Sequence, residues 1–106
     1  MWRGINKRQF PRVDYPCKVA ILKDKPFSAH TENIGTGGIC VVMKEELAKF
    51  SSVGLVLDLN DKRDALECNG SVVWAVPRDK AFDIGIEFSD IKEADRLRIE
   101  NILKGV

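Results

Sequence analysis

Leu66-Glu67-Cys68-Asn69-Gly70-Ser71-Val72-Val73-Trp74-Ala75-Val76, followed across Pro77-Arg78-Asp79 by Phe82-Asp83-Ile84-Gly85-Ile86-Glu87-Phe88, is the stretch on which the fold turns. Leu66, Cys68, Val72, Trp74 and Val76 fall on one face, opposite Glu67, Asn69 and Ser71, and Gly70 takes the same-face slot between Cys68 and Val72. Phe82, Ile84, Ile86 and Phe88 alternate in the same way with Asp83, Gly85 and Glu87. Successive side chains of a strand point to opposite sides, so both runs predict half-buried antiparallel strands joined by a turn. Upstream, Val53, Leu55, Leu57 and Leu59 repeat the pattern before an Asn60-Asp61 turn. Ile39-Cys40-Val41-Val42-Met43 reads as a short strand buried on both faces.

Nearer the N-terminus the pattern weakens. Tyr15, Cys17, Val19 and Ile21 alternate with Pro16, Lys18, Ala20 and Leu22, and Lys23-Asp24-Lys25-Pro26 signals a turn. Residues 27–33 read as a polar extended stretch, and residues 45–50 as either one helical turn or a loop. At Ser89 the period changes. Ile91, Ala94, Ile99, Ile102, Leu103 and Val106 share one helical face with Leu97 outside it; Asp90 and Glu93 fit a capping box, and Gly105 suits the end. About six strands and one helix in 106 residues point to a small closed six-stranded antiparallel β-barrel, because closure removes exposed edges. The division expected is a single domain over 1–106: an N-terminal arm at 1–13, a barrel at 14–89 and a C-terminal helix at 90–105.

Seventeen Lys and Arg against sixteen Asp and Glu give a net charge of +1, and that balance hides an uneven distribution. Arg3, Lys7, Arg8 and Arg12 lie in the first twelve residues with no acid, so the arm is +4 and the remainder −3. A basic arm on an acidic body suggests an anionic partner met at the N-terminus. No apolar run approaches the roughly eighteen residues of a membrane span, which sets the expectation of a soluble, cytoplasmic protein without membrane insertion. Cys17, Cys40 and Cys68 lack C-x-x-C spacing and the only histidine is His30, so the thiols read as small buried side chains with no metal site. With one histidine and no G-x-S-x-G, H-E-x-x-H or Walker-type loop, the chain reads as a non-enzyme needing no cofactor.

Two local features carry chemistry. Arg8-Gln9-Phe10-Pro11-Arg12 places two guanidinium forks on a short arm, and each fork can bond guanine's O6 and N7 edge or two phosphate oxygens. Asn33-Ile34-Gly35-Thr36-Gly37-Gly38 enters a strand; its glycines permit positive φ and close approach of a ligand, and Asn33 offers an amide that donates and accepts.

Together, about twenty residues apart at the mouth of a small barrel, these features resemble the PilZ domain, a bacterial receptor for cyclic di-GMP. The family's R-x-x-x-R is met by Arg8 and Arg12. Its [D/N]-x-S-x-x-G is met by Asn33 and Gly38, with Gly35 standing where serine is usual. Asn69-Gly70-Ser71-Val72-Val73-Trp74 is similar to the family's G-x-V-x-W strand, and Asp83-Ile84-Gly85-Ile86-Glu87-Phe88 to its I-G-[IV]-x-F strand. The resemblance implies a six-stranded barrel with a closing helix. It also implies a non-catalytic cyclic di-GMP receptor whose ligand is held by Arg8, Arg12, Asn33, Gly35 and Gly38. An arm ordered over the ligand would then present a new surface to a downstream protein partner that the sequence does not name, in motility, biofilm or virulence control.

The lost serine hydroxyl at Gly35 removes about one hydrogen bond, roughly 0.5–1.5 kcal/mol or a two- to tenfold weaker complex, and Thr36 is placed to substitute in part. A second reading is a PilZ-like protein-interaction module that binds no nucleotide. The third is a small nucleic-acid-binding barrel, which the acidic body and the lack of interleaved aromatics disfavour, so no nucleic-acid partner is expected.

Overall fold

The period-two runs of the sequence all become strands. A computed structural model describes residues 12–105, in which β1 (Arg12–Asp14), β2 (Lys18–Lys23), β3 (Lys25–Gly35), β4 (Gly38–Met43), β5 (Ser52–Asp58), β6 (Leu66–Arg78) and β7 (Ala81–Asp90) precede one helix, α1 (Glu93–Lys104). Strands β2 to β7 pair antiparallel in the order β3-β2-β5-β6-β7-β4, and β4 returns to pair with β3. That last ladder closes a six-stranded barrel, as the sequence led us to expect. The short β1 pairs on β3 where β2 has ended. Among the described residues no helix is long and apolar enough to cross a membrane.

The inward face of each strand supplies the core. Ile21, Leu55, Leu57, Val72, Ile84, Ile86, Ile39 and Val41 are all at most 1% exposed. Burying one such side chain contributes roughly 1.5–3 kcal/mol, so the interior is what sets strand register. Strand β4 is buried on both faces, as its unbroken apolar run predicts; only Val42 is partly open. Cys17, Cys40 and Cys68 are buried, and no disulfide joins them. Burial pushes the Cys17 thiol up, and pushes Cys68 up to about 12.

Four expectations are corrected. First, the face shared by Val72, Trp74 and Val76 does not continue. The β6–β7 register shifts between Val72 and Trp74, and one extra residue reverses the alternation. Ala75 therefore follows Val72 toward the core, while Trp74 lies half-buried over Gly85 and Val76 is 49% exposed. Second, the capping box does not form. Asp90 is the last residue of β7, held opposite Asn69, and the helix begins after Lys92 with no side-chain cap.

Third, the expected arm reaches too far. Arg12 and Val13 belong to β1, whereas Arg8 and the other residues 1–11 lie outside the described residues. Fourth, no described glycine has positive φ; the left-handed positions are Asp24, Phe50, Asn60, Lys62 and Lys80. The segment 44–51 is a loop that buries Leu47 and leaves Phe50 75% exposed.

The helix is fastened at two points. Ile99 is 1% exposed in the core, with Ile91, Ile102 and Leu103 packed beside it, while Ala94 and Leu97 face outward. Arg98 donates from Nε and Nη2 to the two carboxylate oxygens of Asp61 at 2.8 and 2.7 Å, and from Nη2 to the Asp64 carbonyl at 2.8 Å. The pair is largely buried (8% and 17% exposed), and those hydrogen bonds lower the Asp61 carboxyl from 3.8 to about 2.

A carboxyl held below its unfolded value stabilises the fold above that value, and the contribution is lost as pH falls through the folded one. Each unit is worth about 1.4 kcal/mol, so the pair contributes on the order of 2 kcal/mol at neutral pH. Arg98→Met is expected to lower the urea midpoint at pH 7 and to flatten the fall in stability between pH 4 and pH 2, followed by circular dichroism.

Candidate functional site on the outer wall of the barrel

The site is built on β3, which serves three partners. Its first half pairs with β2, its last three residues pair with β1, and its other edge pairs with β4. The β3–β4 register shifts between Thr31 and Asn33, so Glu32 is the inserted residue. Thr31 stays inside at 2% exposure. Its hydroxyl donates to the Tyr15 carbonyl at 2.7 Å and accepts from the Cys17 N–H at 3.0 Å, while its own N–H donates to the Cys17 carbonyl at 2.9 Å. These bonds replace the ladder across residues 15–17, where Pro16 interrupts the run from β1 to β2. The Tyr15 hydroxyl donates to the Leu59 carbonyl, fixing the same segment to the barrel end.

With that junction pinned, β1 sets Arg12 opposite Gly35, Val13 opposite Ile34 and Asp14 opposite Asn33. Ile34 is 1% exposed and points inward, so Asn33 and Gly35 lie on the outer side. A single transverse row follows from the registers: Trp74 opposite Gly85, Gly85 opposite Cys40, Cys40 opposite Asn33 and Asn33 opposite Asp14. At ~4.8 Å per strand, the row from Trp74 to Asp14 spans about 19 Å of wall. The sequence reading put the site at the barrel mouth; the structure puts Asn33 on this wall.

Two features of the row bear on a ligand. The Asn33 Oδ1 is buried and accepts no hydrogen bond from any described residue. A desolvated carbonyl oxygen of that kind costs roughly 1–3 kcal/mol until a donor reaches it. The Trp74 indole lies where Gly85 has no side chain: a Cβ at residue 85 would fall 2.3 Å from Cε2 and 2.5 Å from Nε1. Gly85 therefore lets a flat aromatic surface lie along the wall. Gly38 answers a different demand, because a Cβ there would sit 2.3 Å from the Ile86 carbonyl oxygen. Its glycine is required for β4 to approach β7.

The charged groups of the wall are mostly acidic. Asp14 and Glu32 are exposed and Asp83 is half-buried, with Arg78 set between the last two. Hydrogen bonds to Glu32, then to Asp83, hold the Arg78 guanidinium above its ordinary value. Among the described residues no group of three His, Cys, Asp or Glu side chains is gathered to hold a metal.

The sequence model of the PilZ domain matches residues 6–105 of this chain. The chain belongs to the PilZ domain family. Among solved structures, the inhibitor of motility MotI/DgrA of Bacillus subtilis is 25% identical, with a TM-score of 0.78 over 90% of this chain and 48% of that one. YcgR of Escherichia coli in complex with c-di-GMP is 10% identical, with a TM-score of 0.81 over 95% of this chain and 46% of that one. The PilZ domain of YcgR with c-di-GMP gives a TM-score of 0.77 at 10% identity, over 94% of this chain and 91% of that one. This PilZ chain thus spans about half the length of the first two proteins and nearly all of the isolated domain. No curated protein matches the chain.

Of the sequence-derived site residues, the PilZ fold brings the backbone of Arg12 against Gly35 and sets Asn33 in the same ladder, while Arg8 lies outside the described residues. The wall position of Trp74 and the Glu32–Arg78–Asp83 cluster were not read from the sequence, because both depend on single-residue bulges. Thr31→Val keeps the shape but leaves the buried Cys17 N–H without its acceptor. The expected loss is about 1–3 kcal/mol, read as a lower urea midpoint with unchanged slope, together with faster amide exchange in residues 12–14.

Proposed function

We propose that this PilZ domain is a non-catalytic receptor for cyclic di-GMP that binds the nucleotide on the outer wall, between the N-terminal arm and the Asn33–Trp74 row. The observation that carries the reading is the β1–β3 ladder. It ties the second arginine of R-x-x-x-R to the position of the missing serine, Arg12 opposite Gly35, two residues from Asn33. Bound cyclic di-GMP in structures of the same fold supports the choice of ligand.

The chemistry of the wall fits a bis-guanine ligand. Guanine's N1–H and N2 amino group are donors, and the buried Asn33 Oδ1 is an acceptor with no donor among the described residues. Trp74 puts an aromatic side chain on the same wall, and stacking of a base on such a ring is worth roughly 1–3 kcal/mol. The two phosphates need cations, and the wall supplies mainly acids, so Arg8 and Arg12 of the +4 segment are the groups that neutralise them. Gly35 and Gly38 keep the β3–β4 turn low beneath the nucleotide. Charge neutralisation at the arm is the step that orders it and exposes a surface to a downstream protein partner in the cytoplasm.

Arg8→Ala and Arg12→Ala are each expected to abolish the heat of binding in titration calorimetry with cyclic di-GMP, with the fold unchanged by circular dichroism. Unchanged affinity in both would overturn the assignment. Absence of heat with the unaltered chain would favour an interaction module that needs no nucleotide. Because residue 35 shares the outer face with Asn33, Gly35→Ser restores a hydroxyl there and is expected to leave affinity unchanged or raise it by up to about tenfold. A marked loss would mean that the turn is used differently.

A further inference from the structure

Arg78 is the last residue of β6, and its side chain turns back across the wall. Nη1 donates to Asp83 Oδ1 of β7 at 2.7 Å and to Glu32 Oε2 of β3 at 3.0 Å. β4 runs between those two strands, so the guanidinium bridges over it, spanning two strand spacings of ~4.8 Å each. The cluster adjoins the row already described. Glu32 immediately precedes Asn33, and Asp83 lies opposite Val42, two residues from Cys40.

One nitrogen takes both carboxylates. Nε and Nη2 make no hydrogen bond to any described residue, and the side chain is 44% exposed. Arg78 is thus anchored at Nη1 and keeps two parallel donors for another molecule.

The charge around those donors narrows what they can bind. Two carboxylates beside one guanidinium make the cluster net negative, and Asp14 adds a further acid to the same wall. A fully compensated arginine exerts little pull on an anion but keeps its directional fork. A neutral pair of acceptors suits it better than a phosphate, and the O6 and N7 edge of guanine is such a pair.

We infer that Arg78 is a specificity-determining residue of the nucleotide site, donating from Nε and Nη2 to O6 and N7 of one guanine of the ligand. The inference rests on the cyclic di-GMP reading above. It predicts that the wall rejects adenine, whose N6 amino group is a donor where O6 accepts, so that two donors would face each other. The Glu32 and Asp83 carboxylates act as positioning groups that aim the fork.

The test is titration calorimetry on the full chain with cyclic di-GMP, cyclic di-AMP and a 7-deazaguanine analogue of cyclic di-GMP, using Arg78→Ala and Arg78→Lys. Thermal melts confirm that each variant folds. Arg78→Ala is expected to weaken cyclic di-GMP by roughly five- to a hundredfold and to shrink the preference over cyclic di-AMP. Arg78→Lys keeps the charge but loses the fork, and is expected to lose nearly as much. The analogue lacking N7 is expected to bind the unaltered chain less tightly, yet to fare no worse than cyclic di-GMP against Arg78→Ala, since the two losses remove one contact.

Retention of affinity by Arg78→Lys, with additive losses for the analogue, would assign Arg78 to a phosphate and overturn the inference. Full affinity and full discrimination in both variants would overturn it while leaving the receptor reading intact. No binding of cyclic di-GMP to the unaltered chain would overturn both.

Discussion

Closure of the sheet through β3 is the constraint on which the rest of this protein depends. Eleven residues of one strand must satisfy β2, then β1, on one edge and β4 on the other. An uninterrupted strand cannot do this, because β2 and β1 approach with Tyr15-Pro16-Cys17 between them. The inserted Glu32 and the buried Thr31 resolve the conflict: the extra residue lets β3 bend, and the threonine bonds the backbone that the proline segment leaves without a ladder. The same insertion sends Glu32 outward beside Asn33. The device that closes the barrel therefore also furnishes the wall on which the candidate site stands.

On the proposed reading, the wall and the arm divide the electrostatic work. Asp14, Glu32 and Asp83 give this stretch of wall an acidic cast, with Arg78 set between the last two, while the first twelve residues carry four cations. A dianionic ligand gains little from the acidic wall alone and needs the cations of the arm. Affinity on this reading comes from the arm and discrimination from the wall, which assigns separate residues to the two properties.

Most of the barrel was legible because its information is local. Alternation in residues 53–59 and 82–88, the unbroken apolar run of β4 and the change of period at Ser89 each report which side chains face inward. Legibility ended where one residue was inserted. Val73 reverses the alternation that sequence continuity implies, so Trp74 reads as core yet lies over Gly85; Glu32 does the same beside Asn33. Nothing in the local pattern marks a bulge, since the cost is set by the partner strand. The capping box at Asp90 and Glu93 failed for a related reason, as Asp90 was already committed to the β6–β7 ladder. For the candidate site, the motif positions of Asn33, Gly35 and Gly38 were readable, but the steric reason for Gly38 is the Ile86 carbonyl, nearly fifty residues away.

The buried thiols have a bearing on how the barrel meets oxidants. Thiolate, not thiol, is the form that peroxides and disulfides attack. With Cys68 pushed up to about 12, its thiolate fraction at neutral pH is on the order of one in a hundred thousand, and Cys17 is shifted in the same direction while shielded by the β1–β2 junction. Oxidants therefore find almost no reactive sulfur at these two positions. The barrel core is guarded there against thiol oxidation by its own packing.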